Sequence, residues 1–254
     1  GGKGLFVKEL EEAILAGRAD LAVHSMKDMP AELPEGLAIV AVPAREDPRD
    51  VAVVPSGKRL LDLPAGARVG TSSLRRKIQT LALRPDLVVE DLRGNIDTRL
   101  RKAAEGKYDA ILLAAAGLRR MGWIDRATEL LDPGTFLPAV GQGALAIEAR
   151  SDGDAVAFVS RLDDPETRDA TRAERAMLAR LGAGCQTPVA GHATVDGGEV
   201  FLRAFIASLD GRRVIRREAR APRERARELG RSVADALLGA GAEEILAEIQ
   251  ASGS

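Results

Sequence analysis

Apolar residues recur at Phe6, Leu10, Ala13 and Ile14, the spacing of one helix face, and predict a first helix over about 6–16. Such a face expects a sheet to cover it. Short apolar runs at 19–24 and 37–42 predict two strands. From residue 50 to about 137, strand-like runs at 51–54, 68–70, 87–90 and 110–114 alternate with helical spacing. That alternation predicts an α/β unit with a largely parallel sheet. A charged, proline-flanked stretch at 43–48 precedes the unit, and the glycine-rich Pro138-Ala-Val-Gly-Gln-Gly143 follows it, leading into a strand at 144–148. Two connections between the same two lobes make a clamshell suited to closure around a ligand.

The last third changes character. A helix is predicted over 165–181, then a loop carrying Cys185, then strands at 189–195, 199–207 and 212–219. Asp196-Gly-Gly198 and Asp210-Gly211 supply the hairpin turns, and helices near 222–238 and 242–249 complete a small α+β domain. The expected division is residues 1–43 with 144–161, residues 49–137, and residues 165–254. The fold class is therefore α/β and α+β, with a two-lobed clamshell and a small C-terminal domain.

Composition narrows the function classes. The 254 residues carry a net charge of −1, so the whole chain makes no case for nucleic acid or an anionic membrane surface. Aromatics are only 3%, too few for base-stacking platforms. No apolar run reaches the length of a membrane span, and no secretory signal is visible. One cysteine excludes an internal disulfide framework, and His24 and His192 lack the spacing of metal ligands and read as packing or surface residues. A cytosolic protein without a metal is expected. The chain opens at Gly1-Gly-Lys-Gly4 with no strand leading into that turn, which predicts a further segment upstream.

The basic residues are placed locally. In Val69-Gly-Thr-Ser-Ser-Leu-Arg-Arg-Lys77 a strand ends, Thr71, Ser72 and Ser73 offer a helix cap, and Arg75 and Arg76 fall in the first helical turn. The macrodipole is already positive there, so stability alone favours acids. Free backbone N–H groups, three hydroxyls and two guanidiniums together suit a carboxylate or phosphate. The arrangement recurs at Leu92-Arg-Gly-Asn95, where Asp97 is expected to cap a helix with Thr98 and Arg99 in its first turn. Arg93 and Arg99 thus flank a second strand-to-helix junction, and such junctions line the carboxyl edge of an open sheet. The plain alternative is a set of solvated surface arginines.

Other residues gain meaning beside that cationic edge. Lys27 and Asp28 follow a strand next to Ser25. They read as an exposed ion pair, or else Asp28 is a rare carboxylate able to stabilise a developing cation or hand a proton to a leaving amine. Arg119 and Arg120 lie just beyond another strand, and Gly1-Gly-Lys-Gly4 resembles a generic anion turn. Cys185, in Leu181-Gly-Ala-Gly-Cys-Gln-Thr-Pro188, is either a small apolar residue or a thiol that nearby cations would activate.

Taken together, these segments resemble the porphobilinogen deaminase (hydroxymethylbilane synthase) family. The matching stretches are Gly1-Gly-Lys-Gly-Leu-Phe-Val-Lys-Glu-Leu10, His24-Ser-Met-Lys-Asp28, Arg45-Glu-Asp-Pro-Arg-Asp50 and Val69-Gly-Thr-Ser-Ser-Leu-Arg-Arg76. Leu92-Arg-Gly-Asn95, Thr98-Arg-Leu100, Leu137-Pro-Ala-Val-Gly-Gln-Gly143 and Gly184-Cys185 continue them in order along the chain. The resemblance implies three domains, the first two a clamshell like that of periplasmic binding proteins.

The activity it implies is stepwise condensation of four porphobilinogen molecules, each losing ammonia, into hydroxymethylbilane. The product would pass to uroporphyrinogen-III synthase. A dipyrromethane cofactor joined by a thioether to Cys185 is implied as primer, and Asp28 as the carboxylate that assists deamination and stabilises cationic intermediates. Lys3, Ser25, Lys27, Thr71, Ser72, Ser73, Arg75, Arg76, Arg93, Arg99, Arg120 and Gln142 would hold acetate and propionate side chains. A monomer is implied as well. Ala183 stands where the family usually has glycine, which is expected to stiffen the cysteine loop slightly. Two other classes compete. One is a non-catalytic clamshell for a small polycarboxylate, which leaves Cys185 and Asp28 without a role. The other is a DNA-binding regulator, against which the lack of a basic helix-turn-helix counts.

Overall fold

The computed structural model describes residues 2–184 and 187–252, and side chains for 7–184 and 187–251. Helix α1 (Gly2–Leu15) leads to β1 (Leu21–Ser25), a single 3-10 turn at Met26–Asp28, and β2 (Leu37–Ala41). Next come β3 (Asp50–Val53), β4 (Arg68–Gly70), α2 (Leu74–Leu83), β5 (Val88–Glu90), α3 (Ile96–Ala104), β6 (Ala110–Ala114), α4 (Ala115–Arg120) and β7 (Glu129–Leu130). The chain returns through β8 (Leu145–Arg150) and α5 (Ala155–Val159) to α6 (Pro165–Leu181). It ends with β9 (Val189–Asp196), β10 (Glu199–Ala207), β11 (Val214–Pro222), α7 (Ala226–Leu237) and α8 (Glu243–Ser252).

Three sheets result. The first has the order β1-β8-β2, with both outer strands antiparallel to β8. The second has the order β5-β4-β6-β3-β7. The third is the antiparallel meander β11-β10-β9, covered by α6 and α7 around Met177, Leu202, Ile206, Val233 and Leu237. Two separate stretches of chain, residues 42–49 and 131–144, connect the first sheet to the second. Among the described residues no helix is long and apolar enough to cross a membrane.

The expectation of a largely parallel second sheet needs correction. β4 runs parallel to β5 and β6, but β3 is antiparallel to both β6 and β7. Apolar alternation fixes where a strand lies and which faces it buries, not its direction. Here β3 enters from the first crossing beside the end of β6, pairing Asp50 with Ala114. An acidic residue is thereby delivered to the edge where β4 and β6 end and where α2 begins.

Other element boundaries shift by a few residues, two of them with a clear cause. Asn95 rather than Asp97 precedes α3, without a side-chain cap bond, because the helix already starts at Ile96. β11 extends to Pro222 because β10 pairs with it along its whole length, so α7 starts at Ala226. The helix predicted over 165–181 is present with those bounds, Asp164 accepting from the Thr167 N–H at its start.

Candidate active site

At the carboxyl edge of the second sheet, Ser73 caps α2 by accepting from the Arg76 N–H at 3.4 Å. Arg75 and Arg76 therefore lie in the first turn, as the sequence predicts, yet both are buried. Their guanidiniums converge on Asp50, which is fully buried. Arg75 Nη1 donates to Asp50 Oδ2 at 2.6 Å and Nη2 to Oδ1 at 3.1 Å, while Arg76 Nε donates to Oδ1 at 2.8 Å. Burial alone would raise the Asp50 carboxyl; the two guanidiniums and the hydrogen bonds from Arg75 and Gln142 outweigh it and hold it at about 2. One carboxylate against two cations leaves this cluster with a net positive charge beside the free N–H groups of the helix start.

The second crossing is bolted to the same cluster. Gln142 Nε2 donates to Asp50 Oδ1 at 3.1 Å and to the Pro48 carbonyl at 2.7 Å. The Leu137 carbonyl accepts from Arg75 Nη1 at 2.8 Å and from Gln79 Nε2 at 3.0 Å, and Arg120 Nη2 donates to the Gly143 carbonyl at 2.8 Å. Gly143 has φ +88°, and a Cβ there would stand 2.3 Å from the Glu46 carbonyl oxygen of the first crossing. The two crossings touch backbone to backbone, which only glycine permits.

The same segment carries the turn holding Asp28. A Cβ on Gly141 would lie 2.5 Å from Met26 Cγ and 3.1 Å from the Lys27 nitrogen, and the Met26 N–H donates to the Ala144 carbonyl at 3.0 Å. Lys27, Asp28 and Ser25 are each half-buried. Asp28 is thus held by a one-turn segment clamped onto the crossing that also orders Arg75 and Arg120.

The second helix start is built differently. Arg93 is largely exposed, 3.6 Å from an exposed Asp91. Arg99 donates to the Gly94 carbonyl at 2.7 Å, has no ion pair among the described residues, and is pulled below its usual pKa by burial. Ser72 Oγ donates to the Leu92 carbonyl at 2.6 Å and ties the two helix starts together, and Arg99 is close enough to disfavour the charge on Arg76. Thr71 is buried, its Oγ1 accepting from the Ser73 N–H at 3.2 Å.

The crossing segment, which includes Gln142, thus meets the turn of Ser25, Lys27 and Asp28 and hydrogen-bonds Arg75 and Arg120. Thr71, Ser72, Ser73 and Arg76 share the start of α2, and Arg93 and Arg99 flank the neighbouring start of α3. The Lys3 side chain and Cys185 lie outside the described residues. On either side of the cysteine position, Gly184 and Thr187 are joined by hydrogen bonds of 3.0 and 3.3 Å.

Two features escape a reading of the sequence. Glu174, in mid-α6, is fully buried and accepts from Arg45 Nη1 at 2.6 Å and Nη2 at 3.2 Å, from the Gly141 N–H at 2.6 Å and from the Ala193 N–H at 2.8 Å. One carboxylate thus ties α6 to both crossings and to β9. Its only sequence signal is an acid on the apolar face of a helix. The other feature is a buried group behind β1. His24 Nε2 and Glu148 Oε2 are 2.9 Å apart. Burial raises Glu11 and Glu148 above the usual carboxylate range and lowers His24.

Comparison with known proteins gives the family to which the chain is similar. The family profile described as porphobilinogen deaminase, dipyromethane cofactor binding domain, matches residues 1–157, and that of the porphobilinogen deaminase C-terminal domain matches residues 169–239. The porphobilinogen deaminase of Syntrophobacter fumaroxidans is 56% identical over 250 residues, 98% of this chain and 81% of that protein. The porphobilinogen deaminase of Nitratidesulfovibrio vulgaris is 54% identical over 259 residues, 100% of this chain and 82% of its own. Among solved structures, a YaeC-family lipoprotein from Enterococcus faecalis overlaps 59% of this chain and 73% of its own, at 17% identity and a TM-score of 0.41.

Proposed function

The chain belongs to the porphobilinogen deaminase family, and from that premise we propose how its residues divide the work of the transferase. The enzyme joins porphobilinogen units stepwise, with loss of ammonia, into hydroxymethylbilane on a dipyrromethane primer. Each addition forms a carbon–carbon bond, breaks the carbon–nitrogen bond of the incoming aminomethyl group, and releases one proton from the attacking pyrrole carbon. Positive charge develops as the amine leaves. The Asp28 carboxyl passes a proton to the departing nitrogen, and the carboxylate so formed stabilises the positive charge and takes up the proton released from the attacking pyrrole carbon.

Every unit added brings two more carboxylates. The excess charge of Arg75 and Arg76 over Asp50, with Arg99, Arg120 and Arg93, receives them. The Ser73 hydroxyl and the free N–H groups of α2 add neutral donors, while Ser72, its proton given to the Leu92 carbonyl, braces the turn that presents them. Arg75 and Arg76 act mainly as a rigid positive base, because their forks already hold Asp50. Gln142 orders the crossing on which the Asp28 turn rests.

The residues present suit the cofactor. Arg99, half-buried and with a single backbone acceptor among the described residues, is the type of cation that a carboxylate-bearing pyrrole would pair. When bound, the cofactor supplies the electron-rich pyrrole carbon to which new units are joined. Cys185 holds it, and Lys3, Ser25 and Lys27 complete the shell around it. Tethering makes each addition an intramolecular encounter. The enzyme works in the cytoplasm as a monomer and hands its product to uroporphyrinogen-III synthase.

The observation that carries this reading is the crossing segment 137–143, which contacts the Asp28 turn and hydrogen-bonds both Arg75 and Arg120. The test is the intact mass of the denatured protein beside Cys185→Ser, together with turnover of Asp28→Asn. A dipyrromethane-sized increment confined to the parent is expected, with turnover lost in Asp28→Asn although its increment remains. An Asp28→Asn enzyme as fast as the parent would remove the role given to that carboxylate.

A further inference from the structure

A second cationic cleft lies away from this edge, between α6 and the chain just after β1. Its volume is about 270 Å³, and its walls include Arg168, Arg172, Arg175 and Arg227 against a single carboxylate, Glu32. Met26 and other small or apolar side chains form the floor. An interface gap left by imperfect packing would be apolar or self-neutralised. This one gathers four guanidiniums in a chain whose net charge is −1.

The neutralisation available locally is incomplete. Arg168 is held by Asp163 at 2.5 Å, but Arg172 only reaches Asp169 at 3.5 Å, and that carboxylate is held at 2.7 Å by Arg223. Arg175 is half-buried and donates to the Ala31 carbonyl at 3.0 Å, with no ion pair among the described residues. Burial pulls its pKa down, and the Glu148 carboxylate offsets part of that without forming an ion pair. Arg227 is exposed and likewise forms no ion pair among the described residues. A partly desolvated guanidinium with one backbone acceptor leaves most of its five donors unused.

We infer that this cleft is a second anion site, for a polycarboxylate carried on one flat ring. The guanidiniums select carboxylates, the apolar floor selects a ring over inorganic anions, and the volume, at the lower limit of small-molecule pockets (~300 Å³), admits one ring and not four. Occupancy would clamp α6, the helix leading to the cysteine loop, onto Met26, which sits in the same turn as Asp28.

The probe is benzene-1,3,5-tricarboxylate, titrated calorimetrically into the full chain at low salt. Saturable binding is expected, weakened at least tenfold by Arg175→Gln and at least fivefold by Arg172→Gln/Arg227→Gln, and unchanged at this site by Arg99→Gln. The double variant changes two exposed side chains, so it remains folded if Arg175→Gln does not. Displacement of the probe by porphobilinogen would name the substrate as occupant, and failure of displacement would name another aromatic acid. No saturable binding to the parent overturns the inference, as does binding that survives both helix variants unchanged.

Discussion

The helix starts of α2 and α3 look alike in sequence and behave oppositely in the structure. Each places arginine pairs around a strand-to-helix turn at the same sheet edge. At α2 both guanidiniums are buried and share Asp50, fixed at distances of 2.6–3.1 Å. At α3 Arg99 has one backbone acceptor and Arg93 a distant, exposed carboxylate. The difference comes from elsewhere in the chain. Antiparallel insertion of β3 brings Asp50 to α2, and no described strand brings an acid to α3 in the same way. A basic helix start thus becomes an internally neutralised scaffold, or keeps its guanidiniums without a buried anion, according to whether the topology supplies one.

The hardest test of that contrast is Asp50→Asn. Removing the charge leaves two buried guanidiniums uncompensated, and breaking such a buried pair costs about 3–5 kcal/mol. Urea unfolding should show that loss, whereas Arg99→Gln should stay within about 0.5 kcal/mol of the parent. An Asp50→Asn protein as stable as the parent would mean that the α2 arginines are not a scaffold.

Acid titration separates the two sites further. The folded-state carboxyl of Asp50 is depressed from 3.8 to about 2. A depressed acid contributes stability that is fully present above its unfolded value and is lost as pH falls through the folded one. The contribution, roughly 2–3 kcal/mol, should therefore disappear between about pH 4 and pH 2. In Asp50→Asn that part of the acid limb should be absent. If parent and variant lose stability in parallel over this window, the pair is not what acid disrupts.

The sequence carried the location of this edge but not its wiring. Glycine, hydroxyl and arginine residues at 70–76 mark a strand-to-helix junction by local chemistry, and Asp164-Pro165 and Gly182 bracket α6 in the same way. Local chemistry does not reveal strand direction, so Asp50 could not be seen to meet Arg75, 25 residues away. Glu174 is similar: its partners Arg45, Gly141 and Ala193 are distant in sequence, and within α6 it reads only as an acid set on the apolar face, with nothing nearby to name its partners. The hydroxyls were legible only as a group. Thr71 and Ser73 serve their own turn, while Ser72 spans to Leu92.

On the receiving side, Arg99→Gln should reduce kcat/KM by roughly 10- to 100-fold, the range for losing one charge-assisted hydrogen bond of about 1.5–3 kcal/mol. Thermal stability should hardly move. Burial already disfavours the Arg99 charge, so pairing with a ligand carboxylate relieves a cost that water does not relieve. If Arg99→Gln instead destabilised the fold as much as Asp50→Asn, the two helix starts would be equivalent after all.

Arg93→Gln should have the smallest effect and sharpens the contrast within α3 itself. The Arg93 side chain is 84% exposed, and its 3.6 Å approach to an exposed Asp91 has little worth in water. A ligand carboxylate there competes with solvent and with Asp91, so a loss of about two- to fivefold in kcat/KM is expected, less than 1 kcal/mol. That loss should shrink as salt is raised, because an exposed pair is screened over about 10 Å at 0.1 M. The Arg99→Gln defect, at a half-buried cation, should change less with salt. Equal salt dependence for the two variants would place both arginines in the same solvated shell and dissolve the distinction between them.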